Sequence, residues 1–201
     1  MKTTKAAIII GITTVMTAIL LCPTHENSTD IREDCKPVIN NSDISIKNVS
    51  YDDTTIYELD ESIPAKGTDW YTYMDLDAIT DQDSEQYNRK SRYWLDESGI
   101  WCSNNDYVVA MGNGFGKIGE RYMITTDRGN RFSVVIGDHK SDIDTDLHNH
   151  YSLTYVNGEP KFNVIEFIVD TDTLNENVKE SGNIGDYYFI TGNITNIEKI
   201  S

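Results

Sequence analysis

"RYMITTDRGNRFSVVIGDHK", residues 121–140, is the stretch on which the fold turns. Residues 121–126 and 131–137 are rich in β-branched and aromatic side chains, the composition of strands. Between them "DRGN" (127–130) supplies the Asp and Gly of a tight reversal, so the stretch predicts a hairpin. Its second strand ends at Gly137-Asp138, where a dense polar segment begins. Asp142, Asp144 and Asp146 alternate there, with His139, His148 and His150 in or beside the same loop.

The β pattern extends outward on both sides. Upstream, "DYVVAMG" (106–112) is a strand ending in glycine, followed by the loop "GNGFGKIGE" (112–120). Downstream come the strand "YSLTYV" (151–156), the turn "NGEP" (157–160) and the strand "KFNVIEFIVD" (161–170). Thr173-x-x-Glu176 is a capping-box signal for a short helix that Gly182 can end. "DYYFITGNITNIEKI" (186–200) supplies one or two closing strands. Many short strands, glycine-rich turns and a short helix predict a mainly β domain over 101–201, a small six-stranded β-barrel.

Residues 46–100 read as an N-terminal extension packing on that barrel, with strands at 44–51 and 54–59 and a short helix around 82–93. Its aromatics, with Trp101, are expected to cover a core rather than stack on sugars. Residues 23–45, rich in Asn, Asp, Ser and Thr, form a polar spacer. In residues 1–22, Lys2 and Lys5 precede an apolar run from Ala6 to Leu21. At about 1.5 Å per residue that run reaches about 24 Å, suiting a signal peptide or short membrane anchor. Bulky Leu21 before Cys22 departs from a lipoprotein signal. Export to the extracellular face is the expectation, with membrane contact only through residues 6–21. Cys35 and Cys102 can then pair in an oxidising compartment.

The formal charge is -16, which repels phosphate backbones and argues against nucleic acid as a partner. Gly112, Gly114, Gly116 and Gly119 resemble a phosphate loop only superficially, since the segment leads into a strand and lacks a GK[ST] ending. It is expected to be a close backbone crossing, and no cofactor is called for. Nor is the acidic loop an EF-hand, because Leu147 and Leu153 stand where that loop needs glycine and glutamate. His148-x-His150 lacks the helical spacing of a zinc motif. The loop is expected to be the rim of a groove, not a metal site, with Lys140, Asp142, His148 and Asn149 facing a substrate.

"GKIGERYMITTDRGNRFSVVIGDHK" followed by "NVIEFIVD" resembles the double-psi β-barrel of 3D-domain and MltA-like cell-wall proteins, and is similar to exported proteins of Gram-positive bacteria that share such a region. The resemblance covers roughly residues 106–170. It implies lytic cleavage of peptidoglycan glycan strands by acid/base carboxylates. Asp138 matches the aspartate ending the second hairpin strand, and Glu166 falls where the later strand carries its acid. Asp138-His139-Lys140 departs from the family's Asp-Thr-Gly, and residues 139–160 lengthen the stretch between the two acids.

Glycosidic cleavage needs a proton donor at the leaving oxygen. Val164 and Ile168 are expected on Glu166's side of its strand, which would desolvate that carboxyl and favour its protonated form. Asp138, at the barrel rim, would stay ionised. The alternative is a non-catalytic module of the same fold, binding wall polymer or a protein partner, with Glu166 at a solvated strand edge and Asp138 accepting backbone N–H bonds in a turn.

Overall fold

The computed structural model describes residues 63–200 and the backbone of 56–57. The strands are β1 (Ile56–Tyr57), β2 (Thr72–Asp75), β3 (Trp94–Leu95), β4 (Trp101–Ser103), β5 (Asp106–Met111), β6 (Arg121–Thr126), β7 (Arg131–His139), β8 (Ser152–Val156), β9 (Glu159–Asn163), β10 (Glu166–Val169) and β11 (Ile194–Ile200). Two short α-helices, α1 (Glu85–Arg89) and α2 (Glu176–Ser181), complete a mainly β fold. The expected leader, spacer and strand at 44–51, and the Cys35 half of the expected disulfide, lie outside the described residues. Cys102 is fully buried and disulfide-bonded. Among the described residues, no helix is long and apolar enough to cross a membrane.

The hairpin forms as its sequence predicts. β6 and β7 pair antiparallel, Tyr122 opposite Val134 and Ile124 opposite Phe132, and Gly129 takes the turn at φ +83°. On its other side β7 pairs in parallel with β5. β5 and β6 thus flank β7 without pairing with each other, although Arg121 of β6 reaches across to Asp106 of β5 at 2.6 Å, and loop 112–120 connects one strand to the other. The full order is β1-β11-β6-β7-β5-β10-β2, with β4 and then β3 added beside β5.

This nine-stranded sheet is open, which corrects the expectation of a closed six-stranded barrel. Closure requires a continuous backbone ladder around the sheet. Here β2 begins only at Thr72, and the segment before it meets the start of β11 largely through side chains. Gly67 N–H donates to Asn193 Oδ1 at 2.8 Å, Ile194 N–H donates to Thr68 Oγ1 at 2.8 Å, and Tyr71 Oη donates to Gly192 O at 2.7 Å.

Two further expectations change. Residues 161–170 are not one strand, because β9 pairs with β8 in a separate two-stranded sheet while β10 joins the main one. The break is pinned by Asn163, whose side-chain amide donates to Trp70 O and Ile165 O. The N-cap of α2 is Asn175, accepting from Asn177 N–H at 2.9 Å, rather than Thr173. Gly182, at φ +71°, ends that helix as expected.

Strand alternation gives the sheet two apolar faces. Tyr71, Tyr107, Phe132 and Phe167 meet edge-on at the centre of one, with Tyr107 and Phe167 centroids 5.8 Å apart. Val108, Ala110, Val135 and Ile168 form the other, covered by Leu76 and Ile79 with Met74, Tyr87, Tyr93 and Trp101 at its margin. Residues 63–100 are therefore built into the sheet: β2 runs parallel to β10, and the segment after it roofs the second face.

Candidate active site

Strand register assembles the site. Ala110 of β5 lies opposite Asp138 on β7 and opposite Glu166 on β10, and Glu166 lies opposite Thr72 on β2. Asp138, Ala110, Glu166 and Thr72 thus form one row across four strands, on the face of Val108 and Ile168. Two inter-strand spacings put the backbones of the acids about 9.6 Å apart. Ala110 is 1% exposed, and its single methyl group is the only side chain between them in the row. Glu166 Oε1 accepts from Thr72 Oγ1 at 3.0 Å.

Asp138 reaches this face because β7 bulges. Val109 pairs with Ile136, but the next residue, Ala110, pairs with Asp138, so Gly137 is the extra residue. Simple alternation would have turned Asp138 to the opposite, aromatic face, and the bulge re-aims it. A Cβ on Gly137 would collide with Val108 Cγ1 and lie 3.2 Å from Tyr93 Oη. Glycine is what lets the bulge close against the roof.

Burial pushes the Asp138 carboxyl above the usual aspartate range. The His139 N–H, donating at 2.9 Å, and the Gln86 side chain oppose that shift, while the charge of Glu166 adds to it. Tyr93 lines the same spot: burial, with help from Asp138's charge, pushes its hydroxyl up to about 12. Lys140 belongs here as well. Its Nζ donates to Asn163 Oδ1 and, at 3.2 Å, to Asn163 O. Burial brings its pKa down to about 8 against the pull of Glu166's charge. Asp138 and Lys140 therefore both feel the charge of Glu166, while the Lys140 ammonium itself bonds Asn163.

The desolvated carboxyl with the raised pKa is thus Asp138, whereas the sequence pointed to Glu166 for that role. Ile168 does share Glu166's face, but Val164 precedes β10 and sits in the aromatic core on the other side. The remaining candidates bond elsewhere. Asp142 Oδ1 accepts from Asn113 at 2.8 Å, Asn149 donates to Asn113 Oδ1 at 2.9 Å, and Gly114 N–H donates to Asn149 O. His148 is exposed at the same seam, its carbonyl packed against Gly114. The glycine segment is the close crossing its composition predicts, and what crosses it is the acidic loop.

Asp146 holds that loop. Its carboxylate accepts N–H bonds from His150 (2.6 Å), Tyr151 (3.0 Å) and His148 (3.2 Å). Desolvation works against ionisation there, but these donors outweigh it and the pKa lies below the usual range. Among the described residues, no group of three or more His, Cys, Asp or Glu side chains is placed to hold a metal. Thr72, Gln86, Tyr93, Ala110 and Gly137 escaped the sequence reading. The only local signals were a small alanine in "YVVAM" and a glycine immediately before the aspartate.

Compared with known proteins, the chain matches no family model, no curated protein and no solved structure.

Proposed function

We propose that this chain is an exported, cell-wall-associated protein that cleaves peptidoglycan glycan strands, with Asp138 and Glu166 as its acid/base pair. The observation that carries the reading is the row itself: two carboxylates 28 positions apart in sequence, on one face of the sheet and separated by one alanine. Their spacing leaves room for a reacting group between them. The raised pKa of Asp138 suits the proton donor to the leaving glycosidic oxygen. Glu166, oriented by Thr72 and facing the charge of Lys140, suits the base that takes the proton of an attacking hydroxyl. The crossing of loop 112–120 between β5 and β6 supports kinship with double-psi barrels, and the apolar run Ala6–Leu21 supports export.

A second reading, a non-catalytic module of similar fold that binds wall polymer or a protein, is favoured by one observation. Gln86 bonds Asp138 and Tyr93 packs beside it, so the carboxyl is already engaged. Incubating the full chain with purified peptidoglycan, beside Asp138→Asn and Glu166→Gln, separates the two. The enzyme reading expects anhydro-muropeptides by mass spectrometry from the parent and at least a hundredfold fewer from either variant. No soluble product from folded parent protein would overturn it in favour of the binding module.

A further inference from the structure

The β8–β9 hairpin leaves one edge open. Its two-residue turn, Asn157 and Gly158, has φ angles of 52° and 84°, the turn type that makes the flanking pair Val156 and Glu159 hydrogen-bonded. Alternation then makes Thr154 with Lys161, and Ser152 with Asn163, the other hydrogen-bonded pairs. Leu153 opposite Phe162 and Tyr155 opposite Pro160 point their backbone groups away from the partner strand. On β9 this leaves little unmet: Pro160 has no N–H, and Phe162 N–H donates to Gly67 O at 2.8 Å. On β8, the N–H and C=O groups of Leu153 and Tyr155 have no partner among the described residues.

The side chains are equally open. Leu153 is 53% exposed, Tyr155 67%, and Ile143 and Leu147 in the preceding loop 91% and 95%. β8 carries no charge, proline or bulge, the devices that normally protect an edge strand. Charge selects the occupant. Asp146 is tied to the start of β8 through its N–H bond to Tyr151 O, Asp142 and Asp144 lie just before it, and the chain as a whole carries -16. A second copy meets repulsion at such a surface, whereas a cationic chain is drawn to it.

We propose that the β8 edge docks an extended basic segment of another protein, in which Lys or Arg alternates with apolar residues, as an added strand. Its apolar positions would lie beside Leu153 and Tyr155, and its cations would face the aspartates. This inference is independent of the Asp138–Glu166 reading.

The test is fluorescence anisotropy of a labelled seven-residue Lys-Val alternating peptide titrated with the full chain. A Lys-Pro alternating peptide has the same charge but no N–H at the positions that would pair with Leu153 and Tyr155. The expected result is binding of the first at least tenfold tighter than of the second, weakening as salt rises. Leu153→Pro removes an outward N–H without touching a bond to β9 and should weaken binding at least tenfold. Tyr155→Ser, which leaves the backbone unchanged, should weaken it severalfold, with circular dichroism checking the fold of both. Equal binding of the two peptides, no binding of either, or full binding by folded Leu153→Pro would overturn the proposal. So would sedimentation showing that the edge is filled by a second copy, with a dimer that Leu153→Pro disperses.

Discussion

Asp138 and Asp142 stand four residues apart, yet they belong to regions built in opposite ways. Asp138 lies on a strand, and its partner Glu166 is supplied by a different strand through register. Asp142, Asp144 and Asp146 lie on a loop and are neighbours simply because the sequence puts them together. In the loop, the best-placed carboxylate, Asp146, accepts three backbone N–H bonds and serves as a turn-former. On the sheet, the carboxyl is desolvated and held near a second acid, which raises its proton affinity. Local crowding of acids marks backbone capping here, and the pairing proposed to do chemistry is non-local.

The difference breaks most completely at Gly137. Replacing it with valine places branched atoms where even a Cβ meets Val108 Cγ1 and Tyr93 Oη. The bulge must shift or the roof must lift, at a cost of about 3 kcal/mol as for other overpacked core sites. Thermal unfolding should show a fall of ten degrees or more, and any glycan-cleaving activity should vanish with Asp138 no longer aimed at the row. A variant that retains both stability and activity would mean that the bulge does not position the acid.

Asp146→Ala probes the other region, with a smaller expected effect. Losing the carboxylate that accepts three N–H bonds in a half-buried turn should cost about 2 kcal/mol at neutral pH. The folded pKa of Asp146 is depressed below its ordinary 3.8. Its contribution is therefore present above that value and is lost as pH falls through the folded pKa. Urea titrations of parent and variant should differ at pH 7 and converge as pH falls through the depressed folded pKa. If the gap persists in acid, the carboxylate is not what holds the loop.

This contrast also explains how much was legible in the sequence. The hairpin as far as Gly137, β5, β8 and the Gly182 stop were readable because each rests on local signals: alternation, turn residues and a left-handed cap. The pairing of Asp138 with Glu166 was accessible only through resemblance, since nothing in either segment encodes that both lie opposite Ala110. The bulge was hidden because Gly137 also reads as the end of a strand. β2 was missed because its polar Thr72 and Asp75 face the site and the loop bonds around it rather than following simple alternation. The open sheet was unreadable for a similar reason, since its edges meet through the side chains of Thr68 and Asn193, which no periodicity announces.

The smallest expected effect sharpens the comparison most. Asp138 and Asp142 can each be changed to asparagine, which keeps the shape and removes the charge. Burial raises the folded pKa of Asp138 above its unfolded value. Its favourable contribution is therefore complete below the unfolded pKa and is lost as pH rises through the folded one. At pH 7 the charged form is a liability, and Asp138→Asn should stabilise the fold. The gain should stay below about 1 kcal/mol, because a half-buried group is still screened by water. Asp142 is exposed and, among the described residues, its carboxylate bonds only to Asn113, so Asp142→Asn should shift stability by less than about 0.5 kcal/mol in either direction. Melting curves at pH 4 and pH 7 give the discriminating pattern: a gain for Asp138→Asn that appears only at the higher pH, and a flat response for Asp142→Asn. A loss of stability for Asp138→Asn at pH 7 would mean that the N–H of His139 and the amide of Gln86 outweigh desolvation. Asp138 would then be a capping residue like Asp146, and the distinction between the two regions would collapse.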